Sequence, residues 1–161
     1  MTYQVIRLGT DFNTSVQELF RDYIQDNWSL TGELDGTNRG KMMFTNGWFQ
    51  KQPQYIVSVR HDIDKMPRRR TLGNKPIKKF DDVIQVHCWE TTQTDNDEPA
   101  RLDQMCREVQ RIINSDELGL SSSGIMMMNC GSAQILPMED SQAAIFHAYQ
   151  RIEFTYLKRN I

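Results

Sequence analysis

The side chains of this sequence that could do chemistry fall in a few short stretches. His61-Asp62-Ile63-Asp64 places an imidazole and two carboxylates close together, a donor set able to hold a divalent cation. The glycine and further acidic ligands of a calcium loop are missing, so a turn leaving a strand accounts for it more simply. His87-Cys88 joins two zinc-binding residue types, yet neighbours on a strand point to opposite faces and cannot readily share one ion. His147 has no companion at a metal-ligand spacing. Asp81-Asp82 is a carboxylate pair, but two consecutive acids ahead of a strand suit capping or solvation better than a shared proton. Ser121-Ser122-Ser123 reads as a turn rather than as a nucleophile. No Gly-rich phosphate loop, nucleophile elbow or His-Glu-x-x-His helix occurs. The expectation is therefore a protein that is not an enzyme, with no catalytic residue, no metal site and no cofactor.

The strongest chemical signal is positive charge. Lys65, Arg68, Arg69, Arg70, Lys75, Lys78 and Lys79 follow one another in a segment broken by Pro67, Gly73 and Pro76, too polar and interrupted to be core. Three readings compete. The segment could neutralise phosphates, with steeply salt-dependent affinity. It could meet protein, because acidic stretches at Glu90 to Glu98 and at Glu139-Asp140 offer the opposite charge in an identical copy. It could also be a plain solvated loop. Protein contact is favoured: the formal net charge is −2, and the aromatic interleaving of a single-strand binder is absent apart from Phe80.

Positioning that arm requires two strands. Tyr55-Ile56-Val57-Ser58-Val59-Arg60-His61 is rich in β-branched residues and starts just after Pro53. Val83 to Glu90 alternates, with Ile84, Val86 and Cys88 on the core side and Val83, Gln85, His87 and Trp89 on a mixed side suited to partial burial or to a neighbouring subunit. Together they predict a long hairpin with an extended loop at about 62–80. Ahead of it, Val16, Leu19, Phe20, Tyr23 and Ile24 keep helical spacing and predict a helix from about Ser15 to Asn27, with Thr14/Gln17 or Ser15/Glu18 as its capping box. Met1 to Leu8 holds only Val5-Ile6, a possible edge strand or arm. Trp28 to Gln52 reads as a turn-rich connection pinned by Trp48-Phe49.

After the hairpin, Leu102, Met105, Cys106, Val109, Ile112 and Ile113 predict a helix from about Pro99 to Asn114, with Arg101, Arg107, Glu108 and Arg111 on a solvated face. Ile125 to Cys130 predicts a strand, which Ala133 to Leu136 continues past Gly131 as a bulge or second short strand. Ala144 to Lys158 alternates throughout, with Phe146, Ala148, Gln150, Ile152, Phe154 and Tyr156 on one side. Such a run predicts a C-terminal strand crossing the whole sheet. The fold class is α/β in the α+β sense: a mostly antiparallel sheet with a long hairpin, packed by two amphipathic helices.

At 161 residues one domain, 1–161, is expected, a size at which folding buries about 70% of the surface of the unfolded chain. Hydrophobic residues make up 39% and charged ones 25%, which argues against wholesale disorder. Cys88, Cys106 and Cys130 sit in apolar patterns far apart, predicting reduced, buried thiols. No apolar run reaches the roughly 20 residues that span a bilayer, and the N-terminus does not read as a signal peptide. Assembly in a cytoplasm and no membrane partner are expected.

This order of elements, from the N-terminal helix through the Gly-rich connection, Pro53, the polar arm, the Val83 strand and the Leu102 helix to a paired C-terminal sheet, resembles the tail terminator, or tail completion, proteins of long-tailed phages and tailed archaeal viruses. The resemblance covers nearly the whole chain and rests on element order. It implies a virion protein of the neck region that forms a homohexameric ring, caps the tail tube protein and offers a docking face to the head-tail connector. DNA would pass through the channel without sequence-specific binding. The arm from Asp62 to Phe80 would be the loop that reaches the tube. Head-completion or neck proteins of the connector share ring assembly and size, and a nucleic-acid-binding factor using the basic arm is the alternative from another class.

Overall fold

The longest alternating runs of the sequence become its longest strands. A computed structural model describes residues 12–47, 53–61, 68–69, 77–92, 101–114, 125–136 and 144–159. In chain order these form α1 (Phe12–Asp26), a 3-10 turn (Gly32–Leu34), β1 (Met42–Thr45), β2 (Tyr55–His61), β3 (Arg68–Arg69) and β4 (Ile77–Thr92). They continue with α2 (Leu102–Asn114), β5 (Ile125–Cys130), β6 (Gln134–Leu136) and β7 (Ala144–Arg159). Among the described residues the seven strands make one sheet in the order β1-β2-β4-β7-β5, with β3 added to β4 and β6 to β7. Every pairing is antiparallel except β1 with β2. The expected α+β class, with a mostly antiparallel sheet and two helices, is the architecture observed.

β4 and β7 pair over their whole lengths, from Ile77 opposite Arg159 to Thr92 opposite Ala144. Because the side-chain period of a strand is two, this single register sorts every residue to one of two faces. On the first face Val57, Val59, Ile84, Val86, Cys88, Ala148 and Ile152 are completely buried beneath α1 and α2. α1 contributes Val16, Leu19, Phe20, Tyr23 and Ile24, and α2 contributes Leu102, Met105, Cys106, Val109, Ile112 and Ile113, the residues their 3.6-residue spacing singled out. Phe20 meets Phe154 with ring centroids 5.0 Å apart. The three cysteines are free and buried in this layer, as expected.

Several boundaries differ from the sequence reading. α1 begins before Thr14 and Ser15, so neither hydroxyl stands at the N-cap. α2 begins at Leu102 instead of Pro99. The connection after α1 carries a strand: β1 runs parallel to β2, Met42 opposite Tyr55. It is too short, at four residues, to show a period. Among the described residues Trp28 pins this connection: its Nε1 donates to Leu34 O at 2.7 Å and its ring meets Phe44 edge-on; Trp48-Phe49 and Val5-Ile6 lie outside the described residues. β4 starts at Ile77 rather than Val83, which draws Lys78, Lys79 and Phe80 into the sheet. Arg68 and Arg69 pair with it opposite Asp81 and Phe80, so the base of the arm is itself strand.

Two acidic residues expected in solvent are buried instead. Glu90 belongs to β4, and its Oε2 accepts the amides of Arg101 at 3.1 Å and Leu102 at 2.9 Å. It thereby satisfies donors that the first turn of α2 cannot bond internally. Burial raises its pKa, against those amide bonds. Glu108, read as part of a solvated helix face, is 5% exposed and accepts from Ser29 Oγ at 2.9 Å and Arg111 Nε at 3.1 Å. Burial alone would raise its pKa; the bonds from Arg111 and Ser29 outweigh it and hold the carboxyl below its ordinary value. The pair ties α2 to the segment following α1.

Candidate functional site

Among the described residues no helix packs on the second face of the sheet, and its composition is different. Residues odd in β4 and β7 and even in β2 point there: Ile56, Ser58 and Arg60 from β2, Gln85, His87 and Trp89 from β4, and His147, Tyr149, Arg151 and Glu153 from β7. Ile56, Trp89 and Ile145 form a small buried cluster with Met43 of β1 against it.

The register sets His87 opposite Tyr149 and Trp89 opposite His147, so four rings meet in a two-by-two block. Trp89 and His147 stack with centroids 4.3 Å apart and planes 15° from parallel. His87 lies 5.4 Å from Trp89 and 5.8 Å from Tyr149. Across the diagonal, His87 Nδ1 and His147 Nε2 are 2.7 Å apart, and His87 Nε2 stands 2.9 Å from Gln85 Oε1. A carbonyl oxygen can only accept, so His87 Nε2 donates to Gln85. The Nδ1 of neutral His87 is then an acceptor, and His147 Nε2 donates to it. The direction of the chain is therefore His147 to His87 to Gln85. Burial, then the neighbouring His147 and Arg60, push the pKa of His87 down from 6.5 to about 4. Nitrogens so close, one lone pair already used, form a hydrogen bond and not the open donor pair a metal ion needs. Among the described residues no group of three or more metal-ligating side chains is found.

Beside this block a pocket of about 280 Å³ is lined by Asn129, Gly131, Ser132, Gln134, Tyr149, Arg151 and Glu153. It opens where β5 gives way to β6. Gly131 N donates to Arg151 O at 2.9 Å, and residues 131–133 then face only residues 150–151 of β7, a bulge that interrupts the strand. Tyr149 Oη donates to Gln134 Oε1 at 2.6 Å across the gap. The second-strand continuation past Gly131 is thus present, as β6.

The margin formed by β5 and β6 has an unusual composition. From Ile125 to Leu136 the sequence is Ile-Met-Met-Met-Asn-Cys-Gly-Ser-Ala-Gln-Ile-Leu, without a charge, a histidine or a proline. The amide of Cys130 is taken by Asn114 Oδ1 at 3.2 Å, but Ser132, Ala133, Gln134 and Ile135 are all exposed. Ile135, 69% exposed, is the one large hydrophobic side chain so placed among the described residues.

The sequence candidates separate in the structure. His61 turns to Asp82, with Nε2 2.7 Å from Oδ2. Asp62 and Asp64 lie outside the described residues. Asp81 and Asp82 are inside β4, not ahead of a strand, and point to opposite faces; Asp81 accepts from Thr155 Oγ1 at 2.7 Å while Asp82 holds His61. His87 and Cys88 do face opposite ways, His87 to the ring block and Cys88 into the core. Of the basic residues, Arg68 and Arg69 lie in β3 and Lys78 and Lys79 in β4. Lys65, Arg70 and Lys75, with Ser121-Ser122-Ser123 and Glu139-Asp140, fall outside the described residues. The His87–His147 contact escaped the sequence reading: alternation places both on mixed faces, but only the β4–β7 register makes them neighbours. No family model matches this chain, and no match to it is found among curated proteins.

Proposed function

We propose that this chain is a virion structural protein, a tail terminator that closes into a ring, caps the tail tube and joins it to the head connector in the neck of the particle. It acts through protein contacts and not as an enzyme. Six-fold closure follows the family it resembles. The observation that carries the reading is the β5–β6 margin, a run free of charge and proline that ends in the exposed Ile135. Open edges in natural sheets are normally blunted by lysine, proline or inward charge, because an unblunted edge pairs with other chains. Among the described residues of this margin the blunting is missing, as suits a subunit sealed against its neighbour. A ring joins two unlike surfaces head to tail, and the opposite margin, β1, differs in length and composition and follows the exposed Lys41.

The test is the size of the purified full-length chain by light scattering, alone and with tail tubes, followed by electron microscopy. Rings in either condition, lost on Ile135→Asp while the fold survives by circular dichroism, are expected. A strict monomer at high concentration that forms no ring on tubes overturns the proposal. Tight DNA binding lost on replacing Arg68, Arg69 and Arg70 by alanine would instead select the nucleic-acid-binding reading.

A further inference from the structure

Beyond assembly, the ring block on the helix-free face contains a device with a defined response to protons. We infer that His87 and His147 form a two-step acid lock: the pair accepts one proton with its contact intact, and the second proton breaks the contact and loosens this face of the sheet.

The first step follows from the hydrogen bond. A single added proton converts one ring to imidazolium, and an imidazolium N–H donating to a neutral imidazole nitrogen is a stronger, charge-assisted version of the same bond. Trp89 stacks on both imidazoles, and an aromatic face attracts a cation placed over it. The second step has neither advantage. With both rings charged, His87 Nδ1 and His147 Nε2 are both donors, 2.7 Å apart, and no acceptor remains between them. Two cations at that distance on a buried face repel strongly.

The surrounding charges act in the same sense near the pair. Among the described residues, Arg60 on β2 lies close enough to oppose a positive charge on His87. The other charged groups that the register directs to this face among the described residues are Lys79 and Asp81 toward the far end of β4 and Arg151 and Glu153 on β7, beyond Tyr149 along the strand. β1, β5 and β6 bring none. Gln85 holds His87 Nε2 from the other side, so the ring cannot turn away without losing a second bond. What the broken contact would release is the cover that the two stacked imidazoles provide over Trp89, which is fully buried.

Titration of the full-length protein from neutral pH to pH 3.5, with the imidazole Cε1–H signals followed by NMR and Trp emission followed in parallel, tests the lock. Expected are two separated steps: an upper one that leaves Trp emission and the amide exchange of β4 unchanged, and a lower one, near the value of about 4 reached by His87, at which both change together. In His147→Gln the repulsion is removed but burial remains, so the His87 step moves upward and stays under 6.5. Coincident steps near 6.5, a change in emission at the first proton, or global unfolding ahead of the second each overturn the inference. The wild-type titration decides it even if His147→Gln does not fold.

Discussion

The two faces of the sheet share one backbone and one register, yet they are built for different ends. The face under α1 and α2 is aliphatic: Val57, Val59, Ile84, Val86 and Ile152 have no exposed surface, and its few buried polar groups sit among them. Glu90 holds the α2 amides, and Gln150 Nε2 donates to Cys106 O at 2.9 Å. The other face carries two imidazoles whose mutual bond depends on protonation, together with a tyrosine, an indole and arginines, and a polar pocket lies beside them. The larger buried core lies on the first face, and the hydrogen-bonded imidazole pair on the second. The difference follows from what covers each: two amphipathic helices supply apolar side chains to one, and among the described residues no helix serves the other.

The largest effect that would break this contrast is expected at Ile152, at the centre of β7 with no exposed surface. Ile152→Ala removes buried methylene and methyl groups and leaves a cavity, which costs about 2–5 kcal/mol. For a chain of this length that lowers the melting temperature by roughly ten degrees, measurable by calorimetry. Arg151→Ala, one residue away but directed to the other face and exposed, should stay within about 0.5 kcal/mol. Equal losses for the two would remove the distinction.

Next in size is Glu90→Ala. The substitution strips the acceptor from two amides in the first turn of α2, one of them in a buried bond, and should cost about 1–3 kcal/mol by chemical denaturation. Glu90→Gln keeps one acceptor oxygen and should lose less. If the two variants are equally stable, the capping bonds contribute nothing.

How far these positions were legible differs between the faces for a physical reason. Helical spacing in Leu102 to Ile113 and strand alternation in Ala144 to Lys158 reflect burial of a stripe, and burial leaves a period in the sequence. The helix-covered face was therefore readable almost residue by residue. Glu90 and Glu108 were not, because a carboxylate buried against amides or an arginine has the same local sequence as a solvated one. The ring block was half visible: alternation paired His87 with Trp89, whereas joining them to His147 needed a partner 60 residues away. β1 and β3 stayed hidden because their runs of four and two residues are too short to carry a period.

The faces should also answer pH with opposite sign. His87 has its pKa lowered from 6.5 to about 4 on folding, so the unfolded chain binds more protons between these values. Its contribution to stability is complete above 6.5 and is lost as pH falls toward 4. Glu90 has its pKa raised above 4.5 by burial; its contribution is complete below 4.5 and is lost as pH rises through the raised value. Denaturant midpoints measured against pH for His87→Gln and Glu90→Gln separate the two: the first variant should flatten the loss of stability on the acid side of the wild-type profile, the second the fall in stability as pH rises above 4.5. A variant that leaves its own side of the profile unchanged would show that its face does not sense pH through that residue.

The smallest effect on folding, and the sharpest on function, is expected at the margin where both faces end. Ile135 makes almost no buried contact, being 69% exposed, so Ile135→Asp should change the unfolding midpoint by no more than about 0.5 kcal/mol. An exposed isoleucine on an uncharged strand at the margin nevertheless presents an apolar side chain to a neighbour. A carboxylate there would have to be desolvated in any interface, which is costly without a partner. If the proposed ring is sealed through this margin, the variant should therefore sediment as a folded monomer under conditions in which the wild type assembles. Ile135→Val, which keeps the apolar surface and suits a strand, should assemble like the wild type. Assembly unaffected by the aspartate would move the subunit contact away from β6, and the helix-free face with its ring block would become the surface to alter next.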